Sequence, residues 1–163
     1  WVGGTFKREH FNFDADVKKG EIIPAISPVG YSAERSMRER ILRGYTKAKT
    51  RKPFDELFFT TSLEPIDRDH VLYPYLELLR KAPSASNKQP WRVVIEDNVF
   101  HLYLKRTSGY AKHLPTDIQG IDMGIALSHL YLSIREDGLT PEFSNEKSVH
   151  MENAEYVISL KVN

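Results

Sequence analysis

The 163-residue sequence contains no cysteine, which removes disulfides, thiolate catalysis, iron–sulfur clusters and cysteine-based zinc sites together and leaves the redox compartment open. Neither sign of charge is in excess. With 23 Lys+Arg against 22 Asp+Glu the net charge is +1, which argues against a generally basic nucleic-acid binder. No apolar run approaches the ~20 residues of a membrane span, and no charged-then-apolar segment of the secretory kind opens the chain. These absences predict a soluble, cytoplasmic protein of one domain's length with no membrane partner. What is present is 40% hydrophobic and 11% aromatic residues, enough for a packed core. The sequence begins Trp1-Val2-Gly3-Gly4 without an initiator methionine, as though entered in mid-protein.

In residues 21–30, Pro24 and Pro28 flank apolar residues and Gly30 closes the run, a pattern for an edge strand or extended segment. From 32 to 52 the composition turns basic: Arg35, Arg38, Arg40, Arg43, Lys47, Lys49, Arg51 and Lys52 are opposed only by Glu34 and Glu39. The first half of that run predicts a short polar helix ended near Gly44 and Tyr45, and Pro53 keeps a helix from running on. A second helix is predicted over 69–82, with Tyr75, Leu76, Leu79 and Ala82 on one face, Pro74 opening or kinking it and Pro83 stopping it.

Residues 91–96 and 100–105 predict two strands joined through Asp97-Asn98, a pair that tolerates the left-handed conformation of a hairpin turn. In the second strand Phe100, Leu102 and Leu104 alternate with His101, Tyr103 and Lys105, so one face should be buried and the other open. A last strand follows from Tyr156, Ile158, Leu160 and Val162 alternating with Val157, Ser159 and Lys161. The strongest helix is predicted over 117–137, capped by Gly138. Met123, Leu127, Leu130 and Ile134 form its stripe, and Ile121, Ile125 and Leu132 widen it until little is left for water. Gly120, Gly124 and Ser128 recur every four residues, where absent side chains either let another helix approach or reflect ordinary packing. The sum is an α+β layered domain without short internal repeats.

The loop Ala82-Pro83-Ser84-Ala85-Ser86-Asn87-Lys88-Gln89-Pro90-Trp91 is dense in short hydrogen-bonding side chains held between prolines. Ser84, Ser86, Asn87 and Gln89 can offer donors and acceptors to a planar heterocycle with mixed polar edges, or simply cap a turn. In the basic run, Lys49 and Arg51 stand two residues apart, on one face if extended, and suit a phosphate dianion. The alternatives are a solvated basic face or a weak anion or nucleic-acid patch. The six histidines show no ligand spacing, so no metal site is expected. Asp117 and Asp122 are read as capping and solvating the long helix rather than as acid and base, and no Ser-His-Asp set can be selected.

The 82–91 loop resembles the P-S-x-x-N-x-Q-P-W loop of FMN-dependent nitroreductases, which lies along the flavin in those enzymes. Trp1-Val2-Gly3-Gly4 resembles the family's W-x-G-G segment, whose backbone N–H groups approach the reactive edge of the isoalloxazine. Ile23-Pro24-Ala25-Ile26 through Val29-Gly30-Tyr31, with Lys49-Thr50-Arg51-Lys52-Pro53-Phe54-Asp55-Glu56-Leu57, resembles the closing strand, G-Y turn and K-x-R-K-P-x-x-E-L tail, whose K-x-R pair holds the FMN phosphate. The resemblance implies a nitroreductase-like α+β fold with an antiparallel-rich sheet packed by helices. It also implies cofactor contacts at Gly3, Gly4, Lys49, Arg51, Pro83, Ser84, Ala85, Ser86, Asn87 and Gln89. No side chain is assigned as catalytic, because the flavin carries the chemistry.

The family's late motifs here precede its early loop. That order implies a tandem, pseudo-dimeric arrangement with most of the first repeat missing: residues 1–59 are the end of one nitroreductase-like repeat and 60–163 most of a second. The family's opening R-R-S-x-R motif is absent and no second K-x-R tail follows, so one flavin site per complete protein is expected, with the missing N-terminal half as a partner. The implied function is an oxidoreductase that passes electrons from NAD(P)H through FMN to a nitroaromatic, quinone or similar small-molecule acceptor. A non-catalytic flavin-binding or structural relative is the alternative, followed by a basic-segment anion or nucleic-acid module.

Overall fold

Among the described residues five segments assemble one sheet: β1 (Phe58–Thr60), β2 (Trp91–Glu96), β3 (Val99–Leu104), β4 (Pro141–Ser144) and β5 (Glu155–Val162), in the order β1-β2-β3-β5-β4, with the apolar runs of β2 and β3 at its centre. Three helices accompany it, α1 (Met37–Tyr45), α2 (Tyr73–Arg80) and α3 (Ile118–Glu136). This computed structural model describes every residue except 5, 12–15, 32, 33, 35, 111, 112, 147 and 148, and nothing is said of the side chains of 42 and 43. The expected share of Arg35 and of the Arg43 side chain in the basic run lies outside the described residues.

The architecture is α+β, and three of the four strand pairings are antiparallel. The hairpin forms as read: Glu96 pairs with Val99, and Asp97 takes the left-handed φ of 51° that closes a two-residue turn. The parallel pair β1·β2 is joined through α2, the crossover that parallel strands require. Leu57, Phe58, Leu76, Leu79, Trp91, Val93, Phe100, Leu102, Leu130, Ile134 and Leu160 are fully buried in one cluster between the sheet and the pair α2 and α3. Phe54, Leu57 and Phe58 belong to that cluster, so the core runs continuously across the 59/60 position.

Several expectations need correction. Residues 21–30 form no ladder; Ile26 makes one isolated antiparallel bridge to Val2, with N···O distances of 2.8 and 2.9 Å. The second helix starts at Tyr73, with Pro74 in its first turn, where a missing N–H costs nothing. The outer face of β3 is closed: His101 and Tyr103 are buried. Residues 144–146 and Val149 lie across it, with Tyr103 Oη donating to Val149 O at 2.6 Å and Ser159 Oγ to Glu146 O at 2.6 Å. A bulge in β5 sets Tyr156 opposite Tyr103 while Ile158 pairs with Leu102, so the simple alternation fails at Val157.

The long helix behaves as predicted at its ends. Asp117 accepts the Gly120 N–H at 3.0 Å, and Gly138 takes φ 77° after the last turn. Its buried row is Ile118, Asp122, Ala126, Leu130 and Ile134, one residue every four. Leu132 is 65% exposed and a Cβ at Gly124 would meet nothing, so one side of α3 is open and no helix of the described chain packs on the Gly124 and Ser128 positions.

Candidate functional site

The three segments singled out in the sequence meet at one place. A cleft of about 680 Å³ is lined by Trp1, Val2, Gly3, Gly4, Thr46, Ala48, Arg51, residues 83–87, Tyr110, Leu114 and Ile118. Eight of the ten proposed contact residues are therefore on its wall: Gly3, Gly4, Arg51, Pro83, Ser84, Ala85, Ser86 and Asn87. Lys49 and Gln89 are not. Lys49 is exposed, and Gln89 is buried behind the loop at 3% exposure.

Hydrogen bonds between the 45–53 segment and the 81–89 loop explain why they stay together. Asn87 Nδ2 donates to Lys47 O at 2.8 Å and to Thr50 O at 3.1 Å. Lys52 N donates to Gln89 Oε1 at 2.8 Å, and Gln89 Nε2 donates to Asn87 Oδ1 at 3.0 Å. Arg51 reaches Lys81 O through Nε and Nη2 at 3.3 and 2.9 Å, and Arg80 Nη1 reaches Lys52 O at 3.0 Å. The side-chain amides of Asn87 and Gln89 are thus struts inside the protein. Ser84 Oγ accepts Gln89 N–H at 2.9 Å and Ser86 Oγ accepts the Tyr110 hydroxyl at 3.2 Å, each keeping its own O–H to donate.

The loop is held in an uncommon backbone state. Ser86, Asn87 and Gln89 have φ of 47°, 54° and 47°, three left-handed non-glycine residues within four positions. Such residues cost on the order of 1–3 kcal/mol each unless their surroundings fix them, and they concentrate where a ligand is gripped.

The N-terminal segment is seated by Arg8, which the sequence did not mark. Its Nη2 donates to Gly3 O at 2.7 Å, its Nε to Ile23 O at 3.0 Å, and its guanidinium lies 4.7 Å from the Phe6 ring centroid. A Cβ on Gly3 would stand 2.5 Å from Ile118 Cδ1 and 2.6 Å from the Trp1 ring, and one on Gly4 would stand 3.2 Å from Leu114. The missing side chain at Gly3 therefore lets residues 1–4 lie against the start of α3.

Of the basic residues in the tail, Arg51 is on the cleft wall, and Lys52 follows it outside the lining. Arg51 loses basicity through burial first and the charge of Arg80 second; Lys52 loses it through burial first and Arg92 second, with Lys105 and Lys88 adding. Arg51 already spends Nε, one Nη2–H and both Nη1–H on the carbonyls of Lys81, Ala48 and Thr50. One N–H of its five remains for another acceptor.

One expectation about α3 holds here and one is corrected. Asp117 does cap α3, and it also holds Arg106 through two bonds of 2.9 Å, with Glu155 on the other side of the guanidinium. Arg106, first among its partners, holds the Asp117 carboxyl below the usual range. Asp122 is not solvated. It is 0% exposed, and its Oδ1 accepts the Ala85 N–H at 2.8 Å. Its position four residues from both Ile118 and Ala126, inside the buried row, was the available signal. Among the described residues no group of His, Asp and Glu is arranged to hold a metal ion, and no helix is long and apolar enough to cross a membrane.

The family described as "Putative TM nitroreductase" matches residues 1–134, a span holding every residue of the cleft. The chain belongs to that nitroreductase family. Among solved structures it is similar to a "putative nitroreductase" of Thermotoga maritima MSB8, at 20% identity and a TM-score of 0.46 over 69% of this chain and 41% of that one. It is also similar to a nitroreductase family protein from Clostridium novyi NT, at 19% identity and a TM-score of 0.43 over 72% of this chain and 83% of that one. The chain thus spans well under half of the Thermotoga protein. No curated protein matches it. Within the nitroreductase family, the residues that differ most in job from the sequence reading are Asn87 and Gln89, which brace the loop, and Asp122, which holds it from behind.

Proposed function

We propose that the cleft is a flavin site and that the protein is an FMN-dependent oxidoreductase, taking electrons from NAD(P)H and passing them to a nitroaromatic, quinone or similar acceptor. The observation that carries this reading is the meeting of residues 1–4, 45–53 and 83–87 around one cavity of about 680 Å³. Those are the segments that resemble the flavin-binding motifs, and they lie up to 86 residues apart in sequence.

The residues fit the group. Trp1, Val2, Pro83, Ala85, Leu114 and Ile118 give apolar surface for a planar ring; Ser84, Ser86 and Tyr110 give polar atoms for its edges; Arg51 on the wall suits a phosphate. FMN, when bound, supplies hydride acceptance and electron transfer. The chain's own part is to seat it: the left-handed loop presents Ser84 and Ser86, the struts of Asn87 and Gln89 hold that loop to the basic tail, and Arg8 holds residues 1–4 against α3. No side chain is required as acid or base.

The tandem reading also belongs to this proposal. The reversed order of the motifs and the open side of α3 at Gly124 and Leu132 support a site completed by a preceding nitroreductase-like half.

The test is direct. The complete protein should purify yellow, with a flavin spectrum, and should oxidise NADH or NADPH when a nitro or quinone acceptor is supplied. Yellow protein that turns over no acceptor would reduce the reading to flavin binding. Colourless protein that takes up no added FMN would overturn it.

A further inference from the structure

One group behind the cleft has no role in ligand contact and no packing reason to be what it is. Asp122 completes a buried row otherwise made of Ile118, Ala126, Leu130 and Ile134. Its Oδ1 accepts the Ala85 N–H at 2.8 Å, and its Oδ2, also shut from water, has no hydrogen-bond partner. A buried carboxyl with one oxygen unanswered is costly, and an apolar residue would complete the row without that cost. What the carboxyl does reach is the first residue of the Ala85–Asn87 turn, immediately before the two residues held left-handed.

The charges around it do not stabilise an anion. Among the described residues Asp117, the cap of α3, is the charged group that shifts it, and it opposes ionisation. The Ala85–Asn87 turn carries no charge. Glu77, Arg80 and Lys81 of α2 and its cap, Arg92 and Glu96 of β2, His101 of β3 and Glu142 of β4 are not among the influences that shift it. Desolvation is the largest influence and pushes its pKa up to about 7, with the Ala85 N–H pulling the other way.

We propose that Asp122 is the positioning residue of the cleft: through the Ala85 amide it sets where Ser84, Ser86 and Asn87 stand, and so how tightly a planar ligand is gripped. The ligand's identity as FMN rests on the functional reading above; the positioning role does not. A carboxyl whose only partner is that amide makes the wall respond to its protonation, because the ionised oxygen is the stronger acceptor.

The experiment follows the Ala85 amide by ¹H–¹⁵N NMR in the full chain, beside FMN titration, for the unmodified protein, Asp122→Asn and Asp122→Ala. In the unmodified protein the Ala85 amide proton should move downfield with a midpoint near pH 7. In Asp122→Asn that titration should vanish while exchange protection stays, since the amide oxygen still accepts. In Asp122→Ala protection should fall by about tenfold or more, and the FMN dissociation constant should rise by about tenfold, against less than about threefold for Asp122→Asn. An Ala85 amide that does not titrate in the unmodified protein would overturn the proposal, whether or not Asp122→Ala folds. So would Asp122→Ala with unchanged protection and affinity. If the unmodified protein binds no FMN while the Ala85 amide behaves as described, the positioning role stands and the flavin reading falls.

Discussion

The side-chain oxygen of Gln89 accepts the backbone N–H of Lys52 at 2.8 Å, joining two segments 37 residues apart in sequence. Gln89 is almost fully buried, and its Nε2 also braces Asn87. Gln89→Ala should leave the Lys52 amide without its partner and cost ~1–3 kcal/mol of stability. Urea unfolding measures that cost. The same variant should also weaken FMN, because Asn87 and the Lys47 to Thr50 turn lose a common anchor; an FMN affinity unchanged within error would mean the loop holds itself.

Arg51 serves two masters. Its four bonds to the carbonyls of Ala48, Thr50 and Lys81 hold the tail to the end of α2, and its guanidinium also lines the cleft. Arg51→Ala should lower both stability and FMN affinity, the latter by ~2–5 kcal/mol if the contact with phosphate is charge-assisted and shielded. Arg51→Lys keeps the charge but not the fork, so it should recover part of the affinity and little of the stability. Equal recovery of both in the two titrations would show that charge alone matters there.

Stability should respond to pH in two opposite ways. Asp117, held below its usual pKa by Arg106, contributes stability that is present above about pH 4 and lost on acidification through its lowered value. Asp122, raised from 3.8 to about 7, contributes stability that is whole below about pH 4 and lost as pH rises through 7, since only the protonated form suits its buried site. Urea midpoints measured from pH 3 to 8.5 should therefore rise and then fall. In Asp122→Asn the decline toward pH 7 should disappear while the acid limb remains; a decline that persists would place its origin elsewhere.

On the outer face of the sheet, Ser159 Oγ donates to Glu146 O at 2.6 Å, lies 2.7 Å from His101 Nδ1 and lies 2.8 Å from Tyr156 Oη. All of this is out of solvent at Ser159. Ser159→Ala should cost ~0.5–1.5 kcal/mol, because Glu146 O, His101 Nδ1 and Tyr156 Oη each lose one partner and keep another. Thermal unfolding of the variant checks it, and Ser159→Thr, which keeps the hydroxyl, should be milder.

The elements with strong periodicity are legible in the sequence: the 91–104 hairpin, α2, α3 and β5 follow from apolar spacing, and Pro74, Asp117 and Gly138 mark helix ends. Two strands were not. Phe58–Thr60 is three residues long and parallel, and Pro141–Ser144 begins with proline, so neither offers an alternation to count. The open outer face predicted for β3 failed because its cover is an irregular segment, which leaves no periodic trace. For the cleft, the literal strings located eight wall residues, whereas the duties of Asn87 and Gln89 as struts depend on the carbonyls of Lys47 and Thr50 and the N–H of Lys52, about 40 residues away. Arg8 and Asp122 were missed for different reasons: Arg8 binds backbone that any sequence supplies, and Asp122 was read as a solvated helix charge although it stands in the buried row.

The parallel strand Phe58–Thr60 has a practical meaning for anyone who divides this chain between repeats at 59/60. A cut there would leave β2 with its row of N–H and C=O groups bare, since Leu57 O, which takes the Val93 N–H at 2.8 Å, would be gone with Phe54 and Phe58. Trp91-Arg92-Val93-Val94-Ile95 would then be a long apolar sheet margin ready to recruit another polypeptide. Three residues at the rim of the sheet thus decide whether such a fragment stays in solution or aggregates, and a fragment that starts ahead of Pro53 is the one to express.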